Sequence, residues 1–231
     1  MQPLEHKDGG RCIGLKYLKV EGTWVLVMLF NKGVHVMNAN ASRRLTFVPL
    51  PANTSLFVSI GLGVDLDGKD FVALGSSEGE VVALINKGPT WDKENGTNIG
   101  KDISVSALAS DPKTKVMVAG DSMGTLHFIK CDNELGWKSE TTVKSKHENP
   151  VLALETLYRG DNIFVSALYS GAVQLISPQG YILASVQAHS RIITGICCHP
   201  LKSIFATCSD DTFANIFEVT GSREDKIDIN L

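Results

Sequence analysis

Val116-Met-Val-Ala-Gly-Asp-Ser-Met-Gly-Thr-Leu-His-Phe-Ile129 is one of five related stretches in this chain. Each stretch joins two apolar runs by a short turn that usually ends in glycine. The other four copies are Trp24–Met37, Phe71–Leu84, Ile163–Ile176 and Ile204–Phe217. Their turn positions are Gly33, Gly79, Gly124, Gly171 and Thr212, which are separated by steps of 46, 45, 47 and 41 residues. The chain is therefore built from a repeat of nearly constant length.

Repeats of about 40–45 residues with four short strands each are typical of the blades of β-propellers. Asp, Asn, Gly and Pro cluster between the apolar runs, as strand turns require, and no window of eleven or more residues carries a helical stripe. The sequence predicts an all-β propeller of about five four-stranded antiparallel blades, either closed or forming part of a seven-bladed ring. Residues 1–231 form a single array, with repeats at approximately 11–50, 51–100, 101–148, 149–188 and 189–231.

Composition excludes several classes of protein. Apolar residues make up 43% of the chain and charged residues 20%, as in globular proteins with a core. The net charge of −3 leaves no excess of positive charge to neutralise phosphates, so nucleic acid is not expected as the main ligand. The first ten residues hold no apolar stretch like that of a signal peptide, and the longest fully apolar run, Trp24–Phe30, is far too short for a membrane span. We expect a cytoplasmic protein without a membrane partner.

No metal or cofactor is expected. The cysteines are odd in number, irregularly spaced and without a CxxC pair, which indicates free thiols in a reducing compartment: Cys12, Cys131, Cys197, Cys198 and Cys208. Adjacent strand residues point to opposite faces, so the Cys197 and Cys198 thiols cannot chelate one metal together. The acid-rich stretch Asp65–Asp70 lacks the spacing of a calcium loop and is predicted to be a turn.

The last repeat resembles a WD repeat. Within Gln187–Ile196 and Ala206–Phe217, His189 stands where that family has its His, Asp211 matches the turn Asp, and Thr207 matches the Ser or Thr four residues earlier. The resemblance implies a buried hydrogen-bonded network of His189, Thr207 and Asp211 in a propeller without enzymatic activity. Phe217 replaces the family's Trp and lacks its indole donor. The other repeats have Lys32, Glu78, Met123 and Ser170 at the Asp position, so the network is predicted for the last repeat alone.

The predicted inner strands favour a binding function over catalysis. They are apolar and nearly uncharged, whereas an enzyme with its active site in the channel would need clustered acids, histidines or metal ligands there. The sequence therefore predicts no catalytic residues and a platform for protein partners within a larger cytoplasmic complex, with a cytoskeletal or ciliary assembly as a specific case. A propeller enzyme is one alternative. Another is a binder of acidic surfaces such as tubulin tails, through the basic residues Lys113, Lys115, Lys138, Lys144 and Lys146.

One rim of the propeller is the predicted contact surface. The loops that enter the inner strands and those that close the middle turns meet on the same rim. Residues of both charges and one aromatic are predicted there: Lys32, Glu78, Asp121, Glu148, Tyr169, Arg191 and Asp210. Exposed Tyr and Arg are typical of interface hot spots, although an ordinary solvated rim is the alternative. The outer faces and the segment Lys87–Lys101, predicted to hold a poorly formed outer strand and a mobile loop, are competing sites.

Overall fold

The computed structural model describes residues 11–20, 22–30, 33–49, 56–64, 70–88, 90–132, 136–144, 149–158, 160, 162–221 and 227–231. These residues form twenty β-strands and no helix, which confirms the all-β prediction. Within this part of the chain, accordingly, no helix is long and apolar enough to cross a bilayer.

The strands form five antiparallel four-stranded sheets, numbered here as blades I to V in chain order. Each blade is a meander in which consecutive strands pair. Blade I holds β1 (Cys12–Val20), β2 (Thr23–Phe30), β3 (Gly33–Asn38) and β4 (Arg44–Pro49); blade II holds β5 (Phe57–Val64), β6 (Asp70–Ser76), β7 (Glu80–Asn86) and β8 (Trp91–Asn98). Blade III holds β9 (Val105–Asp111), β10 (Val116–Asp121), β11 (Thr125–Asp132) and β12 (Gly136–Lys144); blade IV holds β13 (Val151–Leu157), β14 (Ile163–Leu168), β15 (Ala172–Ile176) and β16 (Ile182–Gln187). Blade V holds β17 (Ile193–Cys198), β18 (Ile204–Ser209), β19 (Ala214–Thr220) and β20 (Asp228–Asn230).

The hairpin predicted between the first two apolar runs is present, but the placing of Gly33 within its turn is wrong. Phe30 pairs directly with Gly33, so the β2–β3 hairpin is shorter than the corresponding turns of the other blades and Gly33 belongs to β3. A side chain at Gly33 would clash with the Phe47 ring, so close packing explains the glycine. Gly79, Gly124 and Gly171, in contrast, have φ values of 81° to 84°, the left-handed conformation in which glycine is favoured.

The prediction of a poorly formed outer strand in Lys87–Lys101 is also wrong. β8 pairs with β7 from Asn86 opposite Trp91 to Glu80 opposite Asn98, with one register shift between Val82 and Ala83. The Trp91 side chain is buried in the core between blades I and II. The segment is polar because an outer strand needs few apolar side chains, and its backbone pairing does not depend on them.

Each blade has two apolar faces. We call the face that packs on the next blade the forward face and the opposite one the backward face. On the forward face of blade IV, Val165 and Leu175 pack in one core with Phe205 and Phe217 of the backward face of blade V. The rings of Phe205 and Phe217 stack at 5.0 Å, so Phe217 fills its position as an apolar core residue. Similar cores join the other consecutive blades.

The blades follow one another around a central channel in an open arc. The inner strands β1, β5, β9, β13 and β17 pack in that order. Across the channel, Lys16 of blade I lies 3.1 Å from the Glu155 carboxylate of blade IV. Within the described residues, blade V does not pack on blade I as neighbouring blades pack on each other. Of the two predicted arrangements, the structure therefore shows the partial arc.

Candidate interaction rim

His189, Thr207 and Asp211 come together in blade V. His189 precedes β17, Thr207 lies on β18 and Asp211 lies in the β18–β19 turn. His189 Nδ1 is 2.9 Å from Asp211 Oδ2, and Nε2 is 2.8 Å from Thr207 Oγ1. An ionised carboxylate can only accept hydrogen bonds, so Nδ1 is the donor to Asp211, while Nε2 pairs with the Thr207 hydroxyl. The three residues tie the loop before β17 to the turn after β18.

Asp211 also holds the backbone of both loops. Its carboxylate accepts hydrogen bonds from the amides of Ser190 and Phe213, each at 3.0 Å. Burial acts to raise the pKa of Asp211, but these amides and His189 outweigh it and hold the pKa below its ordinary value. The ionised Asp211 therefore fixes the position of the two segments that carry Arg191 and Asp210.

Tyr169, Arg191 and Asp210 line one depression on the predicted rim. The cavity has a volume of about 360 Å³ and lies between the β14–β15 turn of blade IV and the two loops held by Asp211. Tyr169 is 51% exposed. Arg191 and Asp210 are exposed, and neither forms an ion pair with another described residue. The depression thus presents one aromatic ring, one unpaired cation and one unpaired anion.

The backbone around this depression is hydrogen-bonded within each of the two blades and, through Gln187, between them. The Tyr169 amide donates to the Pro150 carbonyl and the Asp210 amide to the Ile192 carbonyl, at 2.9 and 3.0 Å. The Gln187 side-chain amide donates to the carbonyls of Ser170 and His189. These hydrogen bonds consequently hold the backbone that carries Tyr169, Arg191 and Asp210 in a rigid arrangement.

Asp121 does not lie on the exposed rim, and its prediction as a contact residue is corrected. Its side chain is buried in blade III, where Oδ2 is 2.9 Å from His127 Nε2. Oδ1 accepts from the amides of Met123 and Thr125, each at 2.8 Å. Burial would raise the pKa of Asp121, but the hydrogen bonds from His127 and the two amides lower it below the ordinary value. Asp121 stabilises the β10–β11 turn and has no free oxygen to offer a partner.

The structure adds exposed apolar side chains to the rim. In the equivalent turns of blades III and V, Met123 is 52% and Phe213 is 66% exposed. The sequence analysis did not identify either residue, although a large apolar residue inside a polar turn can indicate an exposed contact residue. Of the remaining predicted positions, Glu78 is exposed in the turn of blade II. Lys32 and Glu148 lie outside the described residues.

Outside the rim, the side chains of Cys198 and His199 could in principle be reactive, but each lies in an environment that indicates a structural role. Burial, followed by the charges of Glu155 and Cys197, raises the pKa of the Cys198 thiol, which is the opposite of nucleophile activation. His199 Nδ1 accepts hydrogen bonds from the amides of Leu201 and Lys202 and so caps its own turn. No group of three or more potential metal ligands occurs among the described residues; residues 65–69 of the acid-rich stretch lie outside them.

The lysines of the third repeat do not share one surface. Lys113 and Lys115 lie in the β9–β10 turn, with Lys138 near the same end of the blade, whereas Lys144 pairs with Thr125 at the opposite end. The Lys113 ammonium donates to the Gly160 carbonyl at 2.6 Å. Lys146 lies outside the described residues. This distribution does not favour the alternative of a single basic patch for acidic partners.

Comparison with known proteins places the fold. No protein-family model and no curated protein matches the chain. Among solved structures, Sqt1 of Saccharomyces cerevisiae matches 91% of this chain with a TM-score of 0.73 and 16% identity, and Raptor of Chaetomium thermophilum matches 94% with the same score and identity. A chain of the Mitotic Checkpoint Complex matches 90% with a TM-score of 0.65 and 16% identity. The matched parts span 60%, 20% and 64% of those chains. Together with the five meander sheets, these matches show that the fold is a WD-repeat-like β-propeller.

Proposed function

We propose that this protein is a non-enzymatic interaction platform whose rim at blades IV and V binds protein partners. The observation that supports this function is the depression lined by Tyr169, Arg191 and Asp210. Tyr and Arg are enriched among the residues that dominate binding energy at protein interfaces. An Arg and an Asp that line the same cavity without an ion pair to another described residue suit a partner segment that carries both charges.

The rigidity of the rim favours tight binding. Ordering flexible loops on association costs free energy, and a frame that is ordered beforehand avoids part of that cost. Here Asp211 and His189 hold the two loops that carry Arg191 and Asp210. Met123 and Phe213 extend the exposed apolar surface along the same rim into blades III and V.

The proposed setting is a cytoplasmic protein complex, with a cytoskeletal or ciliary assembly as the specific case. The free cysteines support the proposed compartment. One structural neighbour is a chain of the Mitotic Checkpoint Complex, which is itself a protein assembly. The stretches Val186–Ile192 and Asp211–Phe217, with Lys32–Met37 upstream, resemble WD repeat-containing protein 54, and we include kinship with that protein in the proposal.

The test is a quantitative pull-down from cytoplasmic extract with the double variant Tyr169→Ala, Arg191→Ala. We expect this variant to lose a defined set of proteins that the unaltered chain recovers. The matched control is Tyr181→Ala with Lys202→Ala, which removes an exposed Tyr and an exposed cation at the other end of the same two blades. If the rim variant is folded and recovers the same proteins as the control, the binding site lies elsewhere. Fractionation of the extract should place the protein in a complex of high mass.

A further inference from the structure

One backbone contact recurs on the rim in blades II to V. In each of these blades, the first residue after the second strand donates its amide hydrogen to the carbonyl of the residue that precedes the first strand, at 2.8 to 3.0 Å. These bonds join Ser77 to Leu56, Ser122 to Ser104, Tyr169 to Pro150 and Asp210 to Ile192. The turn and the entry loop of each blade are therefore held together in the same way. The depression is the part of this continuous rim that lies at blades IV and V.

Each of the four blades places one large apolar side chain on the rim. Leu56, Met123, Tyr169 and Phe213 are all more than half exposed. Packed sheets lie about 10 Å apart, a distance that an extended chain covers in about three residues. The row thus suits a partner segment whose apolar side chains recur at a similar spacing.

The curvature of the rim favours an extended segment over a helix. The side chains of Lys16 in blade I and Glu155 in blade IV meet at 3.1 Å across the channel, with blades II and III between them along the arc. The rim therefore bends around a channel that two side chains span. Helices curve only gently, with radii on the order of 60–100 Å, whereas an extended chain changes direction at any residue. A helix would leave the rim after one or two blades.

Arg191 and Asp210 add a charge requirement at the blade V end of the row. They carry opposite charges and line the same depression, yet neither forms an ion pair with another described residue. Their backbone is fixed, because Asp211 accepts a hydrogen bond from the Ser190 amide and the amide of Asp210 is itself hydrogen-bonded. An arginine pairs with a carboxylate through two parallel N–H donors, and a basic side chain that lies on the Tyr169 ring can place its charge at Asp210. A segment of one charge sign would meet one attraction and one repulsion, so the depression favours a segment that carries both.

Given the proposed function of the rim, on which this step rests, we propose that the partner binds through an extended segment in which an acidic and a basic residue lie close together. The acidic residue contacts Arg191, and the basic residue contacts Asp210 and Tyr169. Apolar residues on either side of the charged pair rest on Met123 and Phe213. A partner segment is therefore selected by the order of its two charges as well as by its apolar residues.

The test selects random peptides of about twelve residues, enough to cross four blades, on the immobilised 231-residue chain by phage display. We expect the enriched peptides to carry an acidic and a basic residue close together, with apolar residues on both sides. The affinity of an enriched synthetic peptide is then measured by fluorescence polarisation. Arg191→Gln, Asp210→Asn and Met123→Ser should each weaken binding, the two charge variants by roughly tenfold or more, as for the loss of one charge-assisted hydrogen bond. Tyr181→Ala with Lys202→Ala should bind as the unaltered chain does, and thermal unfolding checks that every variant keeps its fold.

Exchanging the two charges of the depression gives a sharper variant. A chain with Arg191→Asp and Asp210→Arg should bind the peptide only after the acidic and basic residues of the peptide are exchanged as well. Enrichment of peptides with charges of one sign, or binding that depends on Arg191 but not on Asp210, would overturn the proposal. A library that yields no peptide dependent on the rim would also overturn it. If Tyr169→Ala with Arg191→Ala still loses proteins in the pull-down, the rim then binds a folded surface, and the proposed function stands while the proposal of an extended segment fails.

Discussion

In blade V, Thr212 adopts a backbone conformation that is unfavourable for a β-branched residue. Its φ is 73°, where the equivalent turn residues Gly79, Gly124 and Gly171 have φ values of 81° to 84°. A β-branched residue in this left-handed region is strained by about 1–2 kcal/mol, part of which glycine loses again through its freedom in the unfolded chain. We predict that Thr212→Gly raises the melting temperature by a few degrees, as measured by calorimetry.

The matched control for Thr212→Gly is Gly171→Ala. Its new Cβ would meet the carbonyl oxygens of His189 and Arg191 at a left-handed φ of 84°, so the melting temperature should fall. A lower melting temperature for Thr212→Gly would contradict the explanation by backbone strain.

Thr207 and Ser166 occupy the same repeat position in blades V and IV, but their hydroxyls differ in environment. The Thr207 hydroxyl bonds His189 at 2.8 Å, whereas the fully buried Ser166 hydroxyl has no hydrogen-bond partner in the described structure. Removing a paired hydroxyl leaves its buried partner unsatisfied, at a cost of about 1–3 kcal/mol. We predict that Thr207→Ala lowers the free energy of unfolding by that amount in denaturant titrations and that Ser166→Ala is close to neutral. Equal losses for both variants would contradict the network.

At the scale of the element, the β10–β11 turn depends on an ionised carboxylate. The pKa of Asp121 is lowered in the folded protein, whereas in the unfolded chain it lies near 3.9. Its contribution to stability is therefore present above that pH and is lost as the pH falls through the folded value. We predict that Asp121→Asn lowers the melting temperature at neutral pH and that the difference from the unaltered protein shrinks in strong acid.

The control for Asp121 is Asp210→Asn, which changes an exposed carboxylate with no described ion pair. Melting curves of this variant should run parallel to those of the unaltered protein at every pH. A constant difference between Asp121→Asn and the unaltered protein from neutral pH to acid would show that the charge of Asp121 does not stabilise the turn.

The strands were predictable from sequence because turn residues interrupt short apolar runs at a steady period. The strand prediction failed at two places where the spacing of apolar and turn residues does not reveal which strands pair. At Gly33 the glycine is required by the Phe47 ring beside it, and nothing local to the turn reveals that contact. In Trp91–Asn98 the strand is made by backbone pairing with β7, which polar side chains do not disturb.

The candidate rim was predictable in part. The residues of the depression, Tyr169, Arg191 and Asp210, follow from the rule that the two sets of loops share a rim. The same rule predicts an exposed Asp121, but this residue is buried. Its carboxylate pairs with His127, which lies on the adjoining strand β11. That partner is specified by strand register, which the sequence alone does not give.

At the scale of the whole molecule, stability is unevenly distributed along the arc. Blades II, III and IV are covered on both faces, whereas blades I and V each have one neighbour among the described residues. The side chains of the ion pair between Lys16 and Glu155 are 30% and 35% exposed, so water screens the pair and it adds little to the stability of the arc. Apolar packing between neighbouring blades must then provide most of the stability, as in other repeat arrays.

Amide hydrogen exchange should show directly that local stability differs between the blades. All residues of β14 are buried, whereas β19 alternates between buried and exposed residues, so opening blade V exposes less apolar surface than opening blade IV. We predict that the amides of β18 and β19 exchange faster than those of β14 and β15. Equal exchange in the two blades would mean that packing between blades does not set local stability here.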